Sequence, residues 1–488
     1  MRDRPSVYLQ HTCLRHRYIR TKDLDGVWER PERLRAINVG VAALYARLEE
    51  ANGLINFEPK LGMGPPPEAP FVIMQQAVKF DETCRKAFRY VHSGHEEDGA
   101  AWDLSVDVAK WCLDSKARIA REGSEIPEPY EQDLYICPES MSAFEAAIST
   151  VCEAVDFVII NAALRKDANE LAYAPSDVPG PETYSSRVFV AVRPPGHHCG
   201  EATPAGFGFF NNVVVGSLHS YLEHDIGRIV IFDFDLHHGN GTQAIVEQIA
   251  DDGRPAPKIF YGSMHDILSY PCEAGDQALI KDASLQSAGE NGKWIHNVHI
   301  KPYQTEAEFW EHYEQTYTTI FSKAEEFIRS TSPTEDDNVL VFISCGFDAS
   351  EYETKQMSRH KRHVPTGFYK KFTKAACDFA DRYAQGRLVS VLEGGYSDRA
   401  LISGAMSHLA GFAEAAGQVV DPRWWTSEEL FKVDPAPLRR LSCLICVLLA
   451  GKVDEETPRS ETADGPPRVV AAASESNSRL SQPGSSTS

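Results

Sequence analysis

From about Tyr184 onward, short runs of β-branched and aromatic residues alternate with longer stretches whose apolar residues recur at three- and four-residue spacing. This is the sequence pattern of repeated β-α units, which can bury both kinds of element only around a mostly parallel sheet. Strands are expected at 187–192, 228–234, 258–262, 296–300, 339–344 and 388–392, with helices such as 212–224, 305–329 and 366–385 between them. Parallel neighbours need such crossovers. The chain before Tyr184 reads as more helical, with helices at 32–50 and 104–122 and one further strand at 133–137. No Pro/Gly/Ser-rich linker divides residues 1–432, so one large domain is expected there. Residues 433–488 form a C-terminal extension that loses all periodicity from about 452, where Ser, Pro, Ala and Glu predominate and disorder is expected.

Composition narrows the function classes. With 70 Asp plus Glu against 49 Lys plus Arg, the formal charge of −21 repels a polyanion, which excludes direct nucleic-acid binding by phosphate neutralisation. The same charge suits a basic partner. The first residues lack the apolar stretch of a secretory signal, and no run approaching the ~20 apolar residues of a bilayer span is expected, the nearest being 441–450. The 11 cysteines are scattered; Cys443 and Cys446, the one close pair, sit inside that apolar run. Reduced thiols in the nucleus and/or cytoplasm are the expectation.

Most of the expected strands run into polar residues, and open α/β sheets gather their functional groups at the carboxyl ends of strands. Strand 187–192 leads into Arg193-Pro-Pro-Gly-His-His198, strand 228–234 into Asp235-Leu-His-His-Gly-Asn-Gly241, strand 339–344 into Cys345-Gly-Phe-Asp348, and strand 388–392 into Glu393-Gly-Gly-Tyr396. Asp235 and His237, two residues apart in extended chain, project to the same side and can converge on one ion. Asp348, from another strand end, is the plausible third ligand. Such a set suits zinc, with iron(II) or cobalt tolerated. The competing reading is that Asp233 and Asp235 cap the next helix while the histidines fill a polar pocket.

Together these strings resemble the zinc-dependent histone deacetylases: Arg-Pro-Pro-Gly-His-His at 193–198, Gly-Phe-Gly-Phe-Phe-Asn at 206–211, Asp-Phe-Asp-Leu-His-His-Gly-Asn-Gly at 233–241, Ser-Cys-Gly-Phe-Asp at 344–348 and Glu-Gly-Gly-Tyr at 393–396. Order and spacing match over about residues 5–430, with a class II-like flavour similar to a fungal branch. The resemblance implies the arginase/deacetylase α/β fold, a central mostly parallel sheet flanked by helices on both faces. Residues 1–432 would then be a deacetylase-like catalytic domain. It also implies zinc, one per subunit, on Asp235, His237 and Asp348, with His197 and His198 beside the attacking water and Asp233 orienting the first of them. Tyr396 would hydrogen-bond the substrate carbonyl, Phe207 and Tyr270 would wall the acyl-lysine tunnel, and the Gly206 carbonyl would accept the substrate amide N–H. Asp233, Asp235, His237, Ser263 and Met264 would surround a structural potassium ion.

The implied activity is hydrolysis of N-ε-acetyl-lysine in histones or other proteins, with corepressor subunits or a second copy as further partners and no membrane association. Two alternatives are an acetylpolyamine-type small-molecule amidohydrolase on the same fold and a non-catalytic acyl-lysine-binding scaffold. Arginase-like dinuclear chemistry lacks evident extra ligands. Asn240 stands where class I members carry Asp, and Tyr270 where phenylalanine is usual. Glu131 and Asp133 both qualify as the rim acid that grips a substrate backbone. The basic cluster Arg359-His-Lys-Arg-His363 reads mainly as a solvated loop, and Trp424-Trp425 as an anchor for the last helix.

Overall fold

The computed structural model describes residues 2–52, 69–75, 79–94, 103–130, 133–171, 183–331 and 338–430. Its strands in chain order are β1 Arg2–Asp3, β2 Ser6–Leu9, β3 Val72–Met74, β4 Thr183–Tyr184, β5 Arg187–Ala191, β6 Arg228–Asp233, β7 Lys258–His265, β8 Gln286–Ala288, β9 Trp294–His299, β10 Val339–Cys345 and β11 Leu388–Leu392. Nine of them form one sheet in the order β3-β2-β5-β11-β10-β6-β7-β9-β8. Every pairing in it is parallel except β8 with β9. β1 and β4 make a separate parallel ribbon.

The central strands are apolar along their length because both faces are covered. β10 and β11 are buried at every position. Phe232 of β6 packs on Phe321, Phe372 and Phe379 from the helices Thr319–Thr331 and Gly367–Tyr383. Phe342 of β10 instead meets Gly216 of the helix Asn212–His224, where Val151 of the helix Ser140–Leu171 also arrives. Phe342 is paired with Ile231, one residue out of step with Phe232, so its side chain occupies the opposite face.

Helix Asn212–His224 has the bounds its periodicity predicts, and its ends show why. The Asn211 side chain accepts from Val214 N–H at 3.0 Å, and Asp225 closes the helix at φ 55°. The expected helix 305–329 is two helices, Glu306–His312 and Thr319–Thr331, separated by a π turn at Tyr313–Tyr317. Strand β7 runs on to His265, past the expected 258–262.

Residues 133–137 form no strand: Ile136 N–H goes to Glu125 Oε1 at 3.0 Å and Cys137 N–H to Ser140 Oγ at 2.8 Å, so side chains replace a ladder. The segment Ser140–Arg165 corrects the expectation about apolar runs, since it is long and apolar enough by length and composition to cross a membrane. Here it packs along the helix Asn212–His224, with 56% of its most apolar window buried. Trp424 and Trp425 are buried against the core. Residues 431–488, including the run 441–450 and the Cys443–Cys446 pair, lie outside the described residues.

Candidate active site

Four neighbouring strands, β5, β11, β10 and β6, deliver their carboxyl-terminal residues to one edge of the sheet. Beyond β6 the chain leaves its ladder and places Asp235 and His237; beyond β10 it places Asp348. Their ligand atoms all lie within 4.8 Å of one another, and all three residues are buried. His237 Nδ1 is 3.0 Å from Asp348 Oδ2 and 3.2 Å from Asp235 Oδ1. Backbone groups fix the carboxylates: Gly394 N–H donates to Asp235 Oδ2 at 2.8 Å and Leu236 N–H to Asp348 Oδ1 at 2.8 Å. The glycines are required by space. A Cβ on Gly346 would lie 1.9 Å from Asp235 Oδ2, and one on Gly394 would lie 2.2 Å from Asp348 Oδ2.

Two buried carboxylates facing one imidazole form an electron-rich pocket, which is costly unless a cation occupies it. The donor set therefore fits a divalent metal, two oxygens and one nitrogen suiting zinc. Asp233 and Asp235 do not cap the next helix, which starts at Asn240 with no side-chain cap.

The turn after β5 carries the paired histidines, their ring centroids 4.1 Å apart. His197 Nδ1 lies 3.1 Å from Asp233 Oδ2, an oxygen that also accepts from the Tyr261 hydroxyl at 2.9 Å. Burial alone would push the His197 pKa down, but the carboxylates of Asp235 and Asp233 outweigh it and lift it to about 10. His198 Nδ1 lies 2.8 Å from Asn240 Oδ1. Burial, and then the neighbouring His197 and His237, hold His198 well below the ordinary histidine value. The two neighbouring rings are thus shifted in opposite directions.

Glu393 had no role assigned in the sequence. Its Oε2 accepts from Gly196 N–H at 2.7 Å and His197 N–H at 3.2 Å, tying the histidine turn to the end of β11. Burial pushes its pKa up to about 7. Glu353 was missed as well: it accepts from Tyr396 N–H at 2.8 Å and Ser397 N–H at 2.9 Å, while Arg33 donates to Gly395 O at 2.6 Å and lies over the Tyr396 ring. The only signal for either was an acidic residue placed at, or just beyond, a strand end.

Tyr396, His198, His237, Gly206, Phe207 and Tyr270 line one pocket. The Phe207 ring is 5.5 Å from that of Tyr396, and the Tyr270 ring 4.8 Å from that of His198. Gly206 has φ 54°, and a Cβ there would lie 2.2 Å from His198 Cδ2. Asp133 lines the mouth; Glu131 lies outside the described residues. Arg359 of the basic cluster reaches the same mouth and pairs with Glu273 at 2.8 Å. Ser263 sits opposite Asp233 in the β6–β7 register, with Met264 next to it, all three buried. His238 turns away to Gln243 Oε1 at 2.9 Å.

The histone deacetylase domain matches residues 90–412 of this sequence. The chain belongs to the histone deacetylase family. It is similar to histone deacetylase HOS3 of Saccharomyces cerevisiae, 34% identical over 362 residues, covering 68% of this chain and 48% of the yeast protein. It is also similar to type-2 histone deacetylase 2 of Dictyostelium discoideum, 30% identical over 280 residues, covering 54% of this chain and 13% of that one. The chain thus spans about half the length of the yeast deacetylase and less of the slime-mould one. The crystal structure of the HDA15 HD domain matches with a TM-score of 0.54 at 20% identity, covering 92% of this chain and 99% of that one, which shows the shared fold.

Proposed function

We propose that this deacetylase-family chain is a zinc-dependent hydrolase of N-ε-acetyl-lysine in proteins, histones among them. The observation that carries the reading is a buried Asp-His-Asp set whose His237 lines one pocket together with His198 and Tyr396. Asp235, His237 and Asp348 would hold the zinc ion, which supplies Lewis acidity toward the acyl carbonyl and brings a water molecule to a reactive pKa.

The residues around the metal divide the remaining work. Neutral His198 takes the proton from the attacking water and passes it to the departing lysine amine. Cationic His197, held by Asp233, favours the negative charge that builds on the reacting carbonyl. Burial keeps the Tyr396 pKa well above its usual value, so its hydroxyl stays protonated and donates to that oxygen. Phe207 and Tyr270 sandwich the lysine methylenes, and the Gly206 carbonyl accepts the substrate amide N–H. Asp133, which lines the pocket, and Glu131 are the two candidates for a rim acid that holds a substrate backbone.

Asp233, Asp235 and His237, with Ser263 and Met264, are also proposed to surround a structural potassium ion; the support is the adjacency of the buried Asp233 and Ser263 on paired strands. The catalytic domain is assigned to residues 1–432, followed by the extension 433–488. Location in the nucleus and/or cytoplasm, and corepressor subunits or a second copy as partners, belong to the same reading. The acidic charge of −21 would steer lysine-rich tails toward the pocket at low salt.

Acetate release from acetylated histone peptides and from acetylspermidine, assayed side by side, tests the proposal. Hydroxamate-sensitive turnover of the peptide is expected. Turnover of acetylspermidine alone would make it a small-molecule amidohydrolase, and no turnover of either would make it a binding scaffold. Tyr396→Phe is expected to retain zinc while losing about 100- to 1000-fold in kcat, as removal of an oxyanion donor does.

A further inference from the structure

Away from the active site, a second cluster has the composition and compactness of a metal centre. Asp156 of the helix Ser140–Leu171 faces His219 and His224 of the neighbouring helix Asn212–His224. Asp156 Oδ1 is 2.8 Å from His219 Nε2 and 2.6 Å from His224 Nε2. The three ligand atoms lie within the same 4.8 Å as those of Asp235, His237 and Asp348. The helix Asn212–His224 starts at Asn211, which the active-site edge holds through Cys199 O and Thr242 Oγ1, and its 13 residues carry the chain roughly 18 Å away. The proposed deacetylation uses none of the three residues.

Several features favour a cation there. The two imidazoles approach one carboxylate oxygen through the same ring nitrogen, presenting a nitrogen-nitrogen-oxygen set suited to zinc. The helix ends at this point, with Asp225 in the left-handed region, so the negative end of its dipole lies beside the cluster. The Tyr8 hydroxyl is buried without a hydrogen-bond partner, and its ring lies 6.1 Å from that of Phe157, next to Asp156 in the chain. A buried polar atom left in this way calls for a water or an ion's coordinated water. Asp156 and His224 are partly exposed, which gives solvent access.

We infer that Asp156, His219 and His224 form a second divalent transition-metal site, which takes Zn²⁺ with water completing the coordination. It is weaker than the catalytic centre. His219 is almost wholly buried and its Nδ1 has no acceptor, so binding through Nε2 leaves an N–H unsatisfied, a cost equivalent to about tenfold or more in affinity.

Equilibrium dialysis of the full chain against buffered free Zn²⁺, with metal per chain read by atomic emission, tests this. Two zinc ions are expected at saturation, the second at least about tenfold weaker. His224→Gln and Asp156→Asn, both at partly exposed positions, are expected to bind one and to keep the deacetylation rate measured with one zinc per chain. Saturation of the wild type at one ion overturns the site, as does retention of two in both variants. Asp235→Asn reports on the other centre: if it still binds two, the catalytic assignment fails while this one stands.

Discussion

His197 and His198 are adjacent on one turn, share its burial and lie ring against ring, yet their pKa values are shifted in opposite directions. The carboxylates of Asp235 and Asp233 act on His197, burial and the neighbouring His197 act on His198, and the partner of each Nδ1 adds to the difference. His197 meets the carboxylate of Asp233, itself braced by Tyr261, whereas His198 meets the amide oxygen of Asn240. A carboxylate stabilises an imidazolium and an amide does so only weakly, so a charge difference between partners becomes a division of labour between rings. Burial strengthens the contrast, because a charged ring without a charged partner cannot be sustained there.

The largest effect should come from removing the neutral ring. His198→Ala is expected to lower kcat by about 100- to 10,000-fold, the range for loss of a general acid-base. His197→Ala, which removes only an electrostatic contribution, should cost less. Equal losses would erase the distinction between the rings, and a greater loss at His197 would reverse it. Metal content must be measured in both variants, since His197 Nε2 lies 3.8 Å from Asp235 Oδ1.

A subtler test changes the partner and leaves the ring. Asn240→Asp gives His198 a carboxylate like that of His197, which raises its pKa. A base works only when deprotonated, so the rate falls as pH drops through that pKa, and raising the pKa moves the acidic limb of kcat/KM toward higher pH. The activity lost is concentrated on the acidic side, with a change of less than about tenfold expected on the alkaline plateau. An acidic limb that stays in place would show that Asn240 does not set the His198 protonation state.

Much of this arrangement was legible in the sequence because it is local or lies at strand ends. Asp235 and His237 are two residues apart, although the expected extended chain is a bend closed by His237 N–H donating to Asp235 Oδ1 at 2.9 Å, and β6, β10 and β11 were recognisable as apolar runs buried on both faces. The long-range placements were not legible in the same way. Residues 133–137 carry the composition of a strand, but the side chains of Glu125 and Ser140 take the N–H groups of Ile136 and Cys137. β2 and β3 are too short to announce themselves, at four and three residues. The helix segment Ser140–Arg165 is strongly apolar and packs between the sheet and another helix, which weakens the periodicity that marks a surface helix. Glu353 and Glu393 act through backbone N–H groups, and no spacing rule links an acid to a turn 43 or 197 residues away.

The smallest effect is expected at Glu393, which separates the position of the histidine turn from the partners of its rings. Glutamine is isosteric and can accept the same Gly196 and His197 N–H bonds, so Glu393→Gln should leave both rings in place and change kcat by less than about tenfold. Stability should respond with a defined sign. Burial raises the folded-state pKa of Glu393 to about 7, so between the ordinary glutamate value and pH 7 the folded protein binds a proton that the unfolded chain releases. Wild-type stability therefore declines relative to Glu393→Gln as pH rises through that window, by about 2–3 kcal/mol between pH 5 and pH 8. Denaturant unfolding of both proteins at pH 5 and pH 8 measures this difference. If wild type gained on the variant at pH 8, Glu393 would be a stabilising anion paired with His197, and the charge on that ring would rest on three carboxylates instead of two.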